Sequence, residues 1–171
     1  MPNDLAPESA AAPAAAPLLA ADEPAPVEIL NPGAPSAYLL LCDHASNYVP
    51  RALDDLGLEA AALARHVAWD IGAAEVARRL AERLEATAIL SGFSRLAADA
   101  NRRPEDPNCM PAKSDDVEVP GNRGLTPAAR ETRLAALHRP YHRAIAAELE
   151  RRLAEGQRPV LGSVHSFTPV M

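Results

Sequence analysis

The chain has 171 residues, a formal net charge of −6 and a hydrophobic fraction of 48%. That length suits one domain, and much of the apolar fraction is alanine, which buries less area per residue than leucine, isoleucine or phenylalanine. The basic residues are scattered along helical stretches, which excludes the basic footprint of a nucleic-acid binder, and no segment approaches the roughly 18 consecutive apolar residues of a membrane span.

Residues 1–36 alternate alanine with Pro7, Pro13, Pro17, Pro24, Pro26, Pro32 and Pro35. This composition blocks helix propagation and offers few large side chains to bury, so it predicts a disordered or extended leader. The leader carries no Lys or Arg, while Asp4, Glu8, Asp22, Glu23 and Glu28 make it acidic. A secretory n-region is therefore missing. Only two cysteines occur, Cys42 in an apolar run and Cys109 in a loop, without CxxC spacing. A soluble protein of the reducing cytoplasm is expected.

From Ala37 to Met171 the pattern is that of one α/β domain. The run 38–42 reads as a strand covered on both faces. Short helices are expected at 51–56 and 59–66, then a stronger one over 70–85 with Val76, Leu80 and Leu84 as its buried stripe. Residues 87–91 make a second strand, and Arg95 to Ala98 a short third one. Residues 99–125, broken by Pro104, Pro107, Pro111, Pro120, Gly121 and Gly124, predict a long loop, which in a compact domain is usually functional or mobile.

Thr126 and Pro127 open the next helix. Its stripe is Leu134, Leu137, Tyr141, Ile145, Leu149 and Leu153, and Gly156 marks its stop. Pro140 predicts a kink near 136–140. A last strand spans 159–164. This order argues for a mostly parallel, three-layer α/β/α sheet.

His44 follows the first strand and His165 follows the last. Parallel strands would deliver both imidazoles to one rim, where open α/β sheets bind ligands. Two such histidines with carboxylates nearby suit zinc or a similar divalent metal that keeps one position open for water. A strand-end histidine that only bonds loop backbone is the alternative.

His66 and Asp70 share a helix face if their segment is helical. Asp70 then reads either as a third ligand or as a helix N-terminal carboxylate. Arg95, Asn101, Arg102 and Arg103 cluster at the start of the long loop. Asn101 with Arg102 forms a clamp for an acidic small molecule, or else a solvated face. Tyr141 and His142 flank the kink, Tyr141 suited to packing and either one to an oxyanion contact, and His138 should face solvent. Ser46 and Ser166 each adjoin a histidine, but no GxSxG elbow is present.

Taken in order, Cys42-Asp43-His44-Ala45-Ser46-Asn47, His66-Val67-Ala68-Trp69-Asp70-Ile71-Gly72-Ala73, Ser94-Arg95-Leu96, Asp99-Ala100-Asn101-Arg102, Pro140-Tyr141-His142 and His165-Ser166-Phe167-Thr168-Pro169 resemble the N-formylglutamate amidohydrolase family. The resemblance runs from about Ala37 to the last residue. It implies a fold like that of zinc carboxypeptidases and aspartoacylases, and metal-assisted hydrolysis of an N-acyl amino acid such as N-formylglutamate to formate and glutamate.

Carried over by position, the resemblance implies that His44 and His165 bind metal with Asp70 as third ligand. It implies that Asn101 and Arg102 hold a substrate carboxylate, assisted by Arg95, which can also polarise the scissile carbonyl. Asp43 is the nearest candidate proton acceptor. Where the related peptidases carry a carboxylate ligand three residues after the first histidine, this chain has Asn47, a poor zinc ligand.

Family chains usually continue beyond the His-Ser-Phe-Thr-Pro segment, and the peptidases' general-base glutamate lies there. The expectation is therefore a shortened amidohydrolase, possessing an exposed last strand that invites self-association. The alternative is a degenerate, non-catalytic relative that binds a carboxylated metabolite.

Overall fold

The computed structural model describes residues 17–168. The expected disorder of residues 1–16 lies outside this range. Four short strands form the sheet: β1 (Val27–Leu30), β2 (Tyr38–Cys42), β3 (Thr87–Ser91) and, beyond a small hairpin, β6 (Val160–Ser163). Their spatial order is β1-β3-β2-β6. β2 lies parallel to β3, with Leu40 opposite Ala88, and parallel to β6, with Leu40 opposite Gly162. β1 joins β3 in antiparallel fashion, Ile29 opposite Ile89. The sheet is thus mixed but mostly parallel, and its three parallel strands end at one rim.

Helices α1 (Ala60–Leu63) and α2 (Ala73–Arg83) connect β2 to β3, while α3 (Pro127–Arg133) and α4 (Arg139–Ala154) lead to β6. Of the stripe that the large side chains of α2 suggest, Leu80 alone packs against the core. Val76 and Leu84 are 49% and 39% exposed, and Ala73, Ala77 and Ala81 face Leu40, Cys42, Ala88 and Leu90 instead. Both stripes repeat every four residues, and the smaller side chains let the helix axis approach the sheet. On strand residues of the opposite parity, Leu39 and Ile89 meet Tyr141, Ile145 and Leu149. Leu153, expected in that stripe, is 61% exposed.

Four further expectations are corrected or refined. Residues 27–30, assigned to the leader, form β1. The preceding chain lies so close to Gly92 that a Cβ there would sit 2.1 Å from the Ala25 carbonyl oxygen. Residues 95–98 form a turn rather than a strand. The short helix expected at 51–56 is a 3-10 helix over Arg51–Gly57, interrupted by left-handed backbone at Asp54, Asp55 and Leu56. The segment around His66 is a turn, so His66 and Asp70 share no helix face.

The loop 99–125 contains a hairpin, β4 (Lys113–Ser114) with β5 (Val117–Glu118). It is anchored by Asn122, whose amide donates to the Leu96 and Pro111 carbonyls and accepts from buried Arg133 at 2.6 Å. The Thr126 hydroxyl caps α3 by accepting from the Ala129 amide. The expected kink takes the form of a π turn over Leu134–His138.

Arg152, fully buried, ties α4 to the sheet. It donates to Glu148 Oε1 at 2.7 Å, the Ser36 carbonyl at 2.8 Å and Thr87 Oγ1 at 3.0 Å. Arg152→Ala strands the acceptors, and urea unfolding should show a loss of about 3–5 kcal/mol. Hydrogen bonds from Arg151 outweigh burial and, with those from Arg152, hold the Glu148 carboxyl at about 2, against an ordinary 4.5. Its depressed value means its contribution is complete above pH 4.5 and is lost as pH falls towards 2. Glu148→Gln should remove that share of the acid-induced loss, which denaturation at stepped pH measures.

Candidate metal centre

The rim of the parallel strands gathers side chains that are far apart in sequence. His44 leaves β2 directly and His165 leaves β6. Asp70 precedes α2, its backbone amide donating to the His44 carbonyl at 3.0 Å. The two imidazole centroids lie 5.4 Å apart. One ligand atom each from His44, Asp70 and His165 falls within 4.8 Å of the others. The expected convergence is therefore present.

His44 is 2% exposed and sits between two carboxylates. Its Nε2–H donates to Asp99 Oδ1 at 2.8 Å, while Nδ1 lies 3.3 Å from Asp70 Oδ1 and makes no hydrogen bond. Burial works against a charged ring. The neighbouring carboxylates of Asp70 and Asp99 outweigh it, and the His44 pKa rises. Burial likewise opposes charge on Asp70, yet its contacts with His44 and His165 bring it down to about 2. Asp99 is lowered against burial by the His44 hydrogen bond, then by the charges of His44 and Arg95.

His165 Nδ1 lies 2.8 Å from Asp70 Oδ2, and its Nε2 3.4 Å from Asp43 Oδ2. The Tyr141 hydroxyl donates to Asp43 Oδ1 at 2.6 Å. Burial, followed by the Asp43 charge, pushes the Tyr141 pKa up, so the phenol stays a donor. Arg95 donates to Asp99 Oδ2 from Nε and Nη2, at 3.2 and 3.0 Å, and reaches Asp70 Oδ1 at 3.9 Å.

Three carboxylates, Asp43, Asp70 and Asp99, surround the two imidazoles, with Arg95 the guanidinium paired among them. A divalent cation would sit favourably among these carboxylates. The donor set of two imidazoles and a carboxylate also matches a zinc site that keeps an open position. Asp99, holding His44 through Nε2, has the place of the carboxylate that orients a metal-binding imidazole. These residues fit a divalent metal on the chemistry of their donors.

Among the remaining sequence candidates, Arg102 lines a cavity of about 210 Å³ with Arg95, Asp99, Asn108 and Lys113. Asn101 is exposed, with its backbone amide donating to Asp99 Oδ1 at 2.8 Å. Asn47 is occupied elsewhere, donating to the Leu63 carbonyl. His66 pairs with Asp115 at 2.8 Å, outside the cluster. Ser46 accepts from the Tyr48 amide, and the Ser166 backbone amide donates to Asp70.

His138 is 4% exposed, contrary to the solvent-facing position expected for it. Asp99 was given no role from the sequence, although it opens the Asp99–Arg102 motif that carried part of the resemblance. Ser163 was also missed. Its Oγ lies 3.0 Å from His165 Nε2, forming a Ser–His–Asp string with Asp70.

The N-formylglutamate amidohydrolase family model matches residues 36–171, and the chain belongs to that family. It is also similar to a solved structure described as the crystal structure of gene product Atu2144 from Agrobacterium tumefaciens. The match has 42% identity and a TM-score of 0.88, and covers 90% of this chain. The chain spans 61% of the length of that protein. No curated protein matches.

Zinc titration of the purified protein should give one ion per chain, lost in His44→Ala and His165→Ala. Asp99→Asn should weaken binding by about 10–100-fold, the usual cost of removing a ligand's carboxylate partner. Unchanged affinity in Asp99→Asn would contradict this assignment.

Proposed function

We propose that the chain hydrolyses the amide bond of an N-acyl amino acid, with N-formylglutamate the leading substrate and formate and glutamate the products. His44, Asp70 and His165 would hold the divalent metal, zinc by the nature of the donors. The single observation that carries this reading is the convergence of His44, Asp70 and His165, whose ligand atoms lie within 4.8 Å of one another among further carboxylates. The family supports the reaction class, and the architecture is proposed to be the three-layer, zinc-carboxypeptidase-like one. Cys42 and Cys109 are free and buried, which suits a reducing cytoplasm.

When bound, the metal supplies Lewis acidity to the scissile carbonyl and lowers the pKa of the attacking water. The chain's own groups do the rest. Asp43, 12% exposed and held by Tyr141, accepts a proton at its carboxylate and passes it to the leaving amine. Arg95 keeps Asp99 ionised, and Asp99 keeps the His44 Nε2 proton in place. Arg102 and Asn101 anchor the substrate carboxylate, with Arg95 lining the same cavity as Arg102.

Formate release from N-formyl-L-glutamate, followed with and without added zinc, tests the proposal. The expected outcome is zinc-dependent turnover that His44→Ala abolishes. Arg102→Ala should lower kcat/KM by about 10–100-fold, the range for one charged hydrogen-bond partner. Stoichiometric metal without turnover would favour the non-catalytic carboxylate binder. The Ser163–His165–Asp70 string offers a serine-nucleophile reading, which Ser163→Ala separates. Retained turnover supports the metal reading, and loss of turnover with zinc still bound supports the nucleophile.

A further inference from the structure

The metal centre leaves two imidazoles without a role, buried His138 and exposed His142. His138 ends the π turn and His142 lies one turn later on α4, their ring centroids 4.4 Å apart. Both reach across to the loop after Asp99. His142 Nε2–H donates to the Ala100 carbonyl at 3.0 Å, and His138 Nε2–H donates to the Arg102 carbonyl at 2.9 Å. A carbonyl only accepts, so each ring must carry its proton on Nε2. The two bonds bracket Asn101, whose own amide donates to Asp99 Oδ1, and the Arg102 amide donates to the Asp99 carbonyl at 3.2 Å.

His138 makes its bond at a cost. Its Nδ1 is buried with no hydrogen-bond partner, an acceptor that an apolar side chain of similar volume would not strand. A ring present only for packing gains nothing from that nitrogen. Both rings, with Asn101, Arg102 and Arg139, line an open cavity of about 520 Å³. The bracketed segment is therefore exposed to whatever enters, and its backbone is held from behind. π turns recur at functional sites, where they re-aim side chains.

We propose that His138 and His142 form a two-pronged clamp that positions the Asn101–Arg102 segment for carboxylate binding. This inference rests on the proposed function for the identity of the ligand, and on the two carbonyl bonds alone for the clamp itself. His138 and His142 are positioning residues. They act through backbone carbonyls, fixing where the Asn101 amide and the Arg102 guanidinium meet a carboxylate, and they hydrogen-bond to none of His44, Asp70 and His165.

The test uses the full chain carrying His138→Phe with His142→Phe, compared with His138→Gln with His142→Gln. Phenylalanine keeps the ring and removes the N–H, whereas the glutamine amide can place a donor near the Nε2 position. Amide hydrogen exchange at Asn101 and Arg102 reads the clamp directly and requires no turnover. Exchange there should rise by about tenfold in the phenylalanine pair, the size of one lost hydrogen bond, and return to near the parent value in the glutamine pair.

With N-formyl-L-glutamate, KM should rise by about tenfold in the phenylalanine pair while kcat holds, as expected when only ground-state anchoring is lost. Zinc stoichiometry should stay at the parent value in every variant. Unchanged exchange in the phenylalanine pair overturns the clamp, as does a fall in kcat at constant KM or a failure of glutamine to rescue. If the parent chain shows no turnover, the proposed function fails separately, and the exchange data alone decide the clamp.

Discussion

The burial of His44 between two carboxylates is the constraint on which the site depends. An imidazole that is 2% exposed has lost nearly all its water, so both ring nitrogens need partners inside the protein. Asp99 satisfies one by accepting from Nε2, while Nδ1 is left facing Asp70 Oδ1 without a hydrogen bond. A ring held in this way cannot turn to present its other nitrogen. Arg95, His44 and His165 offset the burial of the carboxylates, which is why Asp70 and Asp99 stay ionised. The outcome is a pre-set cluster of imidazoles and carboxylates at the end of the parallel strands.

The fold delivers this arrangement with modest means. Alanines on α2 bring the helix close to Leu40, Cys42, Ala88 and Leu90, and the larger Tyr141 fills the other side while its hydroxyl reaches Asp43. One residue thus joins core packing to the site. The loop after β3 is bound to the same structure at several points, through Asp99 to His44, through Ala100 and Arg102 to the helical imidazoles, and through Asn122 to Arg133. The anchoring segment and the candidate metal centre accordingly share Asp99 as their common support.

Much of the site was legible because strand direction dictates it. Tyr38–Cys42 and the run 159–164 both read as strands, and parallel pairing brings the residues after each strand to one rim, so His44 and His165 could be expected to meet. Asp70 was legible as an acid beside a helix start. Asp99 was not, since its role depends on how a loop rich in proline and glycine folds back on the sheet, and no period encodes that path.

The inward face of α2 was misread because alanine and the larger residues repeat with the same spacing, and hydropathy favours the larger. His138 was misread because the π turn changes the register that an α-helical count assumes. β1 was hidden in a proline-rich stretch, where Val27–Leu30 is short and gains its stability from pairing with β3.

The central claim, that these side chains share one cation, is tested most directly by anomalous diffraction at the zinc edge on crystals soaked in zinc. The account predicts one strong peak bonded to His44, Asp70 and His165 at roughly 2.0–2.2 Å, with Asp99 still hydrogen-bonded to His44 Nε2. A strong peak elsewhere on the chain, or none at saturating zinc, would contradict it.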